Sequence, residues 1–388
     1  MRVAFLYPLP DKMPVFPDER PGDAVAMTSF DAVIVGGGVI GMLTARELLA
    51  AGLRVALVER GAPGRESTWA GGGILSPLHP WRYPDPVNQL AEWSKAAYPQ
   101  LARELIRDTG VDPQWTPNGM LMLHVEDRHD ALAWEDRFQA GLDEIEEARV
   151  LATEPALCPS PGPGLWMEKV GQVRNPRLAR ALRVDIELRG AVVLCNDPVT
   201  QIDSKAGRVS GVRTTNGQVL SANRVVIAAG AWTAELLAGL CPAPPVEPVR
   251  GQMLVYRTQP GTLQRIVLFR DRYLIPRRDG RIVAGSTMER VGFDKSTTAD
   301  ARAAIHADAA AVIPLLADAP IEHHWSGLRP GSPNGVPFIG EHPRLGGLYI
   351  NAGHFRNGLV TAPASTRLLA DLLLGREPIL APAAYSLR

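Results

Sequence analysis

Asp31-Ala32-Val33-Ile34-Val35-Gly36-Gly37-Gly38-Val39-Ile40-Gly41 decides how this chain folds. The apolar run reads as a buried strand that enters a glycine turn and opens a helix, the construction that docks a dinucleotide pyrophosphate. Gly36 allows the tight turn, Gly38 lets backbone approach phosphate, and Gly41 lets the helix pack on the strand. Unpaired N–H groups at the helix start, around Val39 and Ile40, face the anion. The helix is expected over 39–51, stopped by Gly52. A second strand over 54–59 follows at βαβ distance and ends on Glu59, where a carboxylate accepts hydrogen bonds from ribose hydroxyls. An acid there disfavours a 2′-phosphate, so NADP is set aside, while NAD and FAD both stay open.

Working outward, residues 65–74 carry Gly71, Gly72 and Gly73, a second place where backbone approaches a ligand closely. Helical spacing of Leu90, Trp93, Ala97, Leu101 and Leu105 predicts a helix over 85–109. A strand over 120–125 and a helix over 130–139 follow, and this stretch is assigned to a second domain. Nucleotide-domain character returns with a helix over 176–188 and a strand over 191–195. A three-stranded meander comes next (199–203, 208–214 and 218–221), then an apolar strand over 225–230 that belongs in the centre of a parallel sheet. Residues 246–286 are strand-rich, with a hairpin of 273–276 and 281–285 turning at Asp279-Gly280. A helix over 298–316, a strand over 348–351 and a closing helix to Leu374 complete the reading.

Length and composition bound the function. At 388 residues the chain suits about two domains. Its 41 basic and 41 acidic residues cancel, so no overall field recruits nucleic acid or an anionic membrane. No apolar stretch is long enough for a spanning helix. Cys158, Cys195 and Cys241 have no metal or redox spacing, and an odd count suits inert core thiols in a reducing cytoplasm. Residues 1–27, with five prolines, read as a flexible extension, and Met1 and Met27 both stay open as the start of translation.

Later blocks carry a more specific signal. Ser326-Gly327-Leu328-Arg329-Pro330-Gly331, Phe338-Ile339-Gly340, and Gly353-His354-Phe355-Arg356-Asn357-Gly358-Leu359 followed by Ala362-Pro363-Ala364 resemble the FAD-dependent D-amino-acid oxidase superfamily, and within it the glycine oxidases of thiamine biosynthesis. The similarity spans nearly all of 28–385.

The resemblance implies an α/β fold. A Rossmann-like, doubly wound FAD-binding domain would be assembled from 28–79, 146–240 and 325–378, and an α+β substrate domain on an antiparallel sheet from 80–145 and 241–324. It implies non-covalent FAD, since no cysteine follows Cys241 to form a covalent link. Carried over by position, the FAD contacts are Gly36, Gly38, Val39, Ile40, Gly41, Glu59, Arg60, Ser67, Thr68, Ala70, Gly71, Gly72, Gly73, Val199 through its backbone, Ala229 and Gly230. The late turn adds Gly353, His354, Phe355, Arg356, Asn357, Gly358 and Leu359. At the substrate the resemblance places Arg329 and Tyr273 on a carboxylate, Arg356 as a further arginine, and Met288 as an apolar wall beside the α-carbon.

The implied reaction is hydride transfer from a small amino acid or amine to the flavin, with O2 as acceptor. Its products are imine or keto acid, ammonia and hydrogen peroxide, and the imine can feed thiazole formation. Glycine, sarcosine and small D-amino acids stay open as substrates, as does a homo-oligomeric state. The rivals are a D-amino-acid dehydrogenase passing electrons to a quinone, a tRNA-modifying flavin oxidoreductase and a non-catalytic sensor. Balanced charge argues against nucleic acid. His354 reads as a backbone-bonding turn residue rather than an acid or base, His323-His324 lacks metal spacing, and Trp81-Arg82-Tyr83 is a candidate lid. Asp271 stands near the expected entrance, where it bears on the choice of amine.

Overall fold

Ala32–Val35 is a strand with all four residues buried, because both of its faces are covered. Strand side chains alternate between faces. Ala32 and Ile34 enter a core shared with helices Val39–Ala50, Asn175–Leu188 and Gly358–Leu374. Val33 and Val35 enter another with Val225, Ile227 and Leu348. An unbroken apolar run is what such two-sided cover demands.

The computed structural model describes residues 28–240 and 242–387; the extension at 1–27, both candidate starts and Cys241 lie outside them. It sets Ala32–Val35 in a six-stranded sheet ordered Phe338–Glu341, Leu348–Ala352, Val225–Ile227, Ala32–Val35, Val55–Val58, Val192–Leu194. Only the first pair is antiparallel. The glycine turn thus leaves the carboxyl end of a central strand, where doubly wound sheets take their ligands. The meander forms as expected from Val199–Lys205, Arg208–Thr214 and Val219–Ser221, with Thr28–Ser29 added in parallel at its edge.

An eight-stranded sheet faces this layer. Its order is Ile321–Gly331, Glu247–Arg257, Arg281–Gly285, Arg272–Pro276, Ile266–Phe269, Met120–Leu123, Gly164–Met167, Leu142–Ile145. The pairing is antiparallel except between Ile266–Phe269 and Met120–Leu123. Alternation again sorts the faces. Met120 and Met122 join Ile74, Leu78, Tyr273 and Ile275 on the cavity side, whereas Leu121 and Leu123 meet Ile305 and Ala309 of helix Ala299–Val312 behind the sheet.

Several segments sit elsewhere than the sequence reading placed them. Helix Asp85–Thr109, assigned to the substrate part, sends Val87, Leu90, Ala91, Tyr98, Leu101 and Leu105 into the helical core of the nucleotide side. Gly164–Met167, inside the 146–240 nucleotide segment, pairs instead in the large sheet. A boundary at 325 would cut the continuous strand Ile321–Gly331. The helix expected over 298–316 stops at Val312, because Pro314 starts a separate 3₁₀ turn, Pro314–Ala317. Cys158 and Cys195 are free but half-buried rather than core, and burial pushes the Cys195 thiol up, away from reactivity. Among the described residues no helix is long and apolar enough to cross a membrane, and no His, Cys, Asp and Glu cluster could hold a metal ion.

Candidate active site

The nucleotide wall is built from absent side chains. Gly36 has φ +113°, and a Cβ there would lie 2.3 Å from the Ala228 carbonyl oxygen. A Cβ on Gly41 would lie 1.8 Å from the Gly36 carbonyl oxygen, so helix Val39–Ala50 can rest on the turn only because that position is bare. The helix has Gly38 at its N-cap, no side-chain cap and no acid in its first turn. Apart from the Val39 N–H, which donates to Thr68 Oγ1 at 2.9 Å, its positive end is left uncompensated toward the cavity. Glu59 is buried, its oxygens accepting from the Gly37 N–H at 2.7 Å and the Gly61 N–H at 2.9 Å. Those bonds fix the carboxylate at the end of its strand while leaving lone pairs for further donors.

One cavity of about 530 Å³ runs from this wall to the large sheet. Of the residues assigned to cofactor from sequence, it is lined by Gly36, Gly38, Val39, Ile40, Glu59, Arg60, Ser67, Thr68, Ala70, Gly71, Gly72, Gly73, Val199, Ala229, Gly230, His354, Phe355, Arg356, Gly358 and Leu359. Gly41, Gly353 and Asn357 lie behind the lining; Gly41 serves packing, and Gly353 has φ +83° in the turn after strand Leu348–Ala352. Helix Gly358–Leu374 also starts without a side-chain cap or an acid in its first turn. A ribose-type carboxylate, a glycine cradle and two open helix N-termini along one cavity form a donor set that fits FAD.

The facing wall is built from side chains. Strand pairing sets Val249 opposite Arg329 and Gly251 opposite Gly327. A Cβ on Gly251 would lie 2.1 Å from Arg329 Nη1, so the missing side chain gives the guanidinium its seat. Arg329 donates to the Thr287 carbonyl at 3.1 Å and to Ser286 Oγ at 2.6 Å, and the Tyr273 hydroxyl lies beside it. That hydroxyl points on to Met253 Sδ at 3.6 Å. Desolvation, with Arg356 pushing the same way, pulls the Arg329 pKa down. A guanidinium nevertheless stays protonated. Among the described residues no carboxylate reaches ion-pair distance of Arg329 or Arg356. A desolvated, unpaired cation on a cavity wall is a seat for an anion.

His354 carries no proton-transfer role in this geometry. Ser365 Oγ donates to Asn351 Oδ1 at 2.6 Å, so its 2.7 Å contact with His354 Nε2 requires the N–H on the ring. Burial pushes the imidazole down to about 3, which keeps it neutral.

Met288 is a correction. It is 62 % exposed and does not line the cavity. Its neighbours Thr287 and Glu289 turn inward, the hydroxyl accepting from the Gln252 N–H and the carboxylate meeting Arg250, so the intervening side chain faces out. Met253, not Met288, is the methionine that lines the cavity. The proposed lid is also displaced: Trp81 and Arg82 are both tied to Asp127, and none of Trp81, Arg82 and Tyr83 lines the cavity. Asp271 is exposed, 4.0 Å from Arg82.

The sequence reading missed Met253, Asn175, Trp232 and Leu78, all on the cavity wall. Asn175 had a signal in its place before Pro176 at the start of a helix, and its Nδ2 clamps the Thr68 and Gly71 carbonyls at 2.9 Å each. Met253 sits among apolar neighbours and had none.

The family DAO, described as FAD dependent oxidoreductase, matches residues 31–372. The chain is 49% identical over 355 residues to a glycine oxidase of Pseudomonas aeruginosa, covering 91% of this chain and 97% of that protein. It is 32% identical to the bifunctional protein ThiO/ThiG of Synechocystis, covering 90% of this chain and 52% of that one. Among solved structures, the glycine oxidase of Geobacillus kaustophilus superposes with a TM-score of 0.88 at 32% identity, over 93% of this chain and 99% of the other.

Proposed function

Given that the chain belongs to the DAO family of FAD dependent oxidoreductases, we propose that it oxidises glycine and comparably small amines, with sarcosine and small D-amino acids in the same class, using O2 as acceptor. It is an FAD-dependent amino-acid oxidoreductase. The observation that carries the substrate reading is the unpaired Arg329, seated on Gly251 beside the Tyr273 hydroxyl, in the cavity that the glycine cradle also lines.

Arg329 would hold the substrate carboxylate through two charge-assisted hydrogen bonds, with Tyr273 as a second partner. Arg356, which lines the same cavity, adds positive potential. Met253, Ile74 and Leu78 line the pocket and disfavour the charged ammonium form, so the amine would give up its proton to bulk solvent as it enters. Bound FAD supplies the hydride acceptor. No side-chain base is required at the α-carbon, in keeping with His354 neutral and its Nε2–H engaged. The open N-terminus of helix Gly358–Leu374 favours negative charge on the group it faces. Hydrolysis of the released imine would give an oxo acid with ammonia, or with methylamine from sarcosine, and O2 would take up the two electrons as hydrogen peroxide. Likeness to one part of a ThiO/ThiG protein supports a role in supplying imine for thiazole synthesis. Free Cys158 and Cys195 accord with a cytoplasmic site of action.

The test is oxygen uptake and peroxide release by purified holoenzyme in detergent-free buffer with glycine, sarcosine or D-alanine. Stoichiometric peroxide is expected. Flavin bleaching by these amines without oxygen consumption would replace the oxidase reading with a dehydrogenase.

A further inference from the structure

Strand Arg272–Pro276 and the residue after it set Tyr273, Ile275 and Arg277 two positions apart, on one face. All three converge on Gly72. A Cβ there would lie 2.7 Å from Ile275 Cδ1 and 3.2 Å from Tyr273 Cε2, and Arg277 Nη2 donates to the Gly72 carbonyl at 2.7 Å. The flanking carbonyls are held in the same manner: Asn175 Nδ2 donates to that of Gly71 at 2.9 Å, and the Val173 N–H to that of Gly73 at 2.9 Å. In a trans peptide the carbonyl and the next N–H point opposite ways. With the Gly72 and Gly73 carbonyls tied to Arg277 and Val173, neither of which lines the cavity, the N–H groups of Gly73 and Ile74 turn toward the cavity that these two residues line.

Arg277 is an unusual choice for a tether. Its Nη1 donates to Gln172 Oε1 at 2.5 Å and to the Val173 carbonyl at 3.0 Å, and among the described residues no carboxylate reaches ion-pair distance. Burial pulls its pKa down to about 10, which leaves it charged at neutral pH. A cation bonded to a peptide carbonyl polarises that peptide and strengthens the donor on its far side.

We propose that Arg277 is a positioning residue for the flavin, fixing the Gly72–Gly73 peptide with its N–H toward the cavity and lending it charge, so that reduced flavin is favoured. This rests on FAD as the cofactor and not on which amine is oxidised, so an enzyme that ignored every amine would leave it standing.

The test is the midpoint potential and visible spectrum of holoenzyme carrying Arg277→Gln or Arg277→Lys, with FAD affinity measured by reconstitution of apoprotein. Arg277→Gln should lower the preference for reduced over oxidised FAD about tenfold, roughly 30 mV for a two-electron couple. Arg277→Lys should restore most of that loss. Gln172→Glu supplies a second variant: a carboxylate there balances the Arg277 charge without removing the bond to Gly72, at the cost of the Gln172 Nε2 bonds to Asn118 Oδ1 and the Pro276 carbonyl, and its potential should fall in the same direction. A wild-type potential and spectrum in Arg277→Gln, or in Gln172→Glu where the first variant does not fold, would reduce Arg277 to a structural tie.

Discussion

The wall from Gly36 to Gly73 works because side chains are missing, and the wall from Met253 through Tyr273 to Arg329 works because particular side chains are present. On the first, Cβ atoms at Gly36, Gly41 and Gly73 would meet backbone oxygens at 2.3, 1.8 and 2.2 Å. On the second, a cation, a hydroxyl and a thioether are brought together by strands distant in sequence. A bare wall presents peptide dipoles and suits a large, anionic cofactor; a furnished wall can discriminate among small molecules. The first should therefore fail by addition and the second by removal.

Gly41→Val should break the comparison most severely. With no room at the Gly36 carbonyl, the helix cannot dock and the purified protein should be colourless, as absorbance near the flavin bands will show. Stability should come next. Burial lowers His354 to about 3 and His79 to about 4. Unfolded histidine titrates near 6.5, so below that pH the unfolded chain binds more protons than the folded one. Stability is then complete above about pH 6.5 and is lost as pH falls toward 4, on the order of 1.4 kcal/mol per unit for each histidine. Denaturant midpoints at pH 7 and 5 should show this, with a shallower loss in His79→Asn.

Gly251→Ala sharpens the contrast, because it is a bare position on the furnished wall. It should displace Arg329 and raise KM about tenfold, on the order of 1.4 kcal/mol, while flavin content stays full. Loss of flavin instead would mean the two walls are not separable. Tyr273→Phe removes one hydroxyl partner of the carboxylate, worth about 1 kcal/mol, so KM should rise roughly fivefold in steady-state assays. The smallest effect belongs to Met288→Ala, whose kinetics should match wild type; a changed KM would return Met288 to the site.

This contrast also explains what could be read from the chain. Gly36 and Gly41 announce the bare wall because a Cβ at either would strike a backbone oxygen, and buried runs such as Ala32–Val35 and Val225–Ile227 follow from cover on both faces. Arg329 and Tyr273 emerged only through resemblance, since an arginine before a proline and a tyrosine on a strand are individually ordinary. Met288 failed because a side chain's direction depends on its neighbours: Thr287 and Glu289 claim the inward side. Leu142–Ile145 was passed over because its two central residues are charged and exposed, so little periodicity remains to be seen. Helix Asp85–Thr109 was recognised as a helix but given to the wrong part, since amphipathic spacing shows that a face is buried and not against what.

The most direct test of a backbone wall for cofactor and a side-chain wall for substrate is anaerobic mixing of glycine with wild type and Arg329→Ala, followed at the flavin absorbance. The account predicts that Arg329→Ala purifies with a full flavin complement yet needs about a hundredfold more glycine to reach half-maximal bleaching, the loss of roughly 2.7 kcal/mol of charge-assisted binding. Half-maximal bleaching at the wild-type concentration, or loss of the flavin itself, would contradict it.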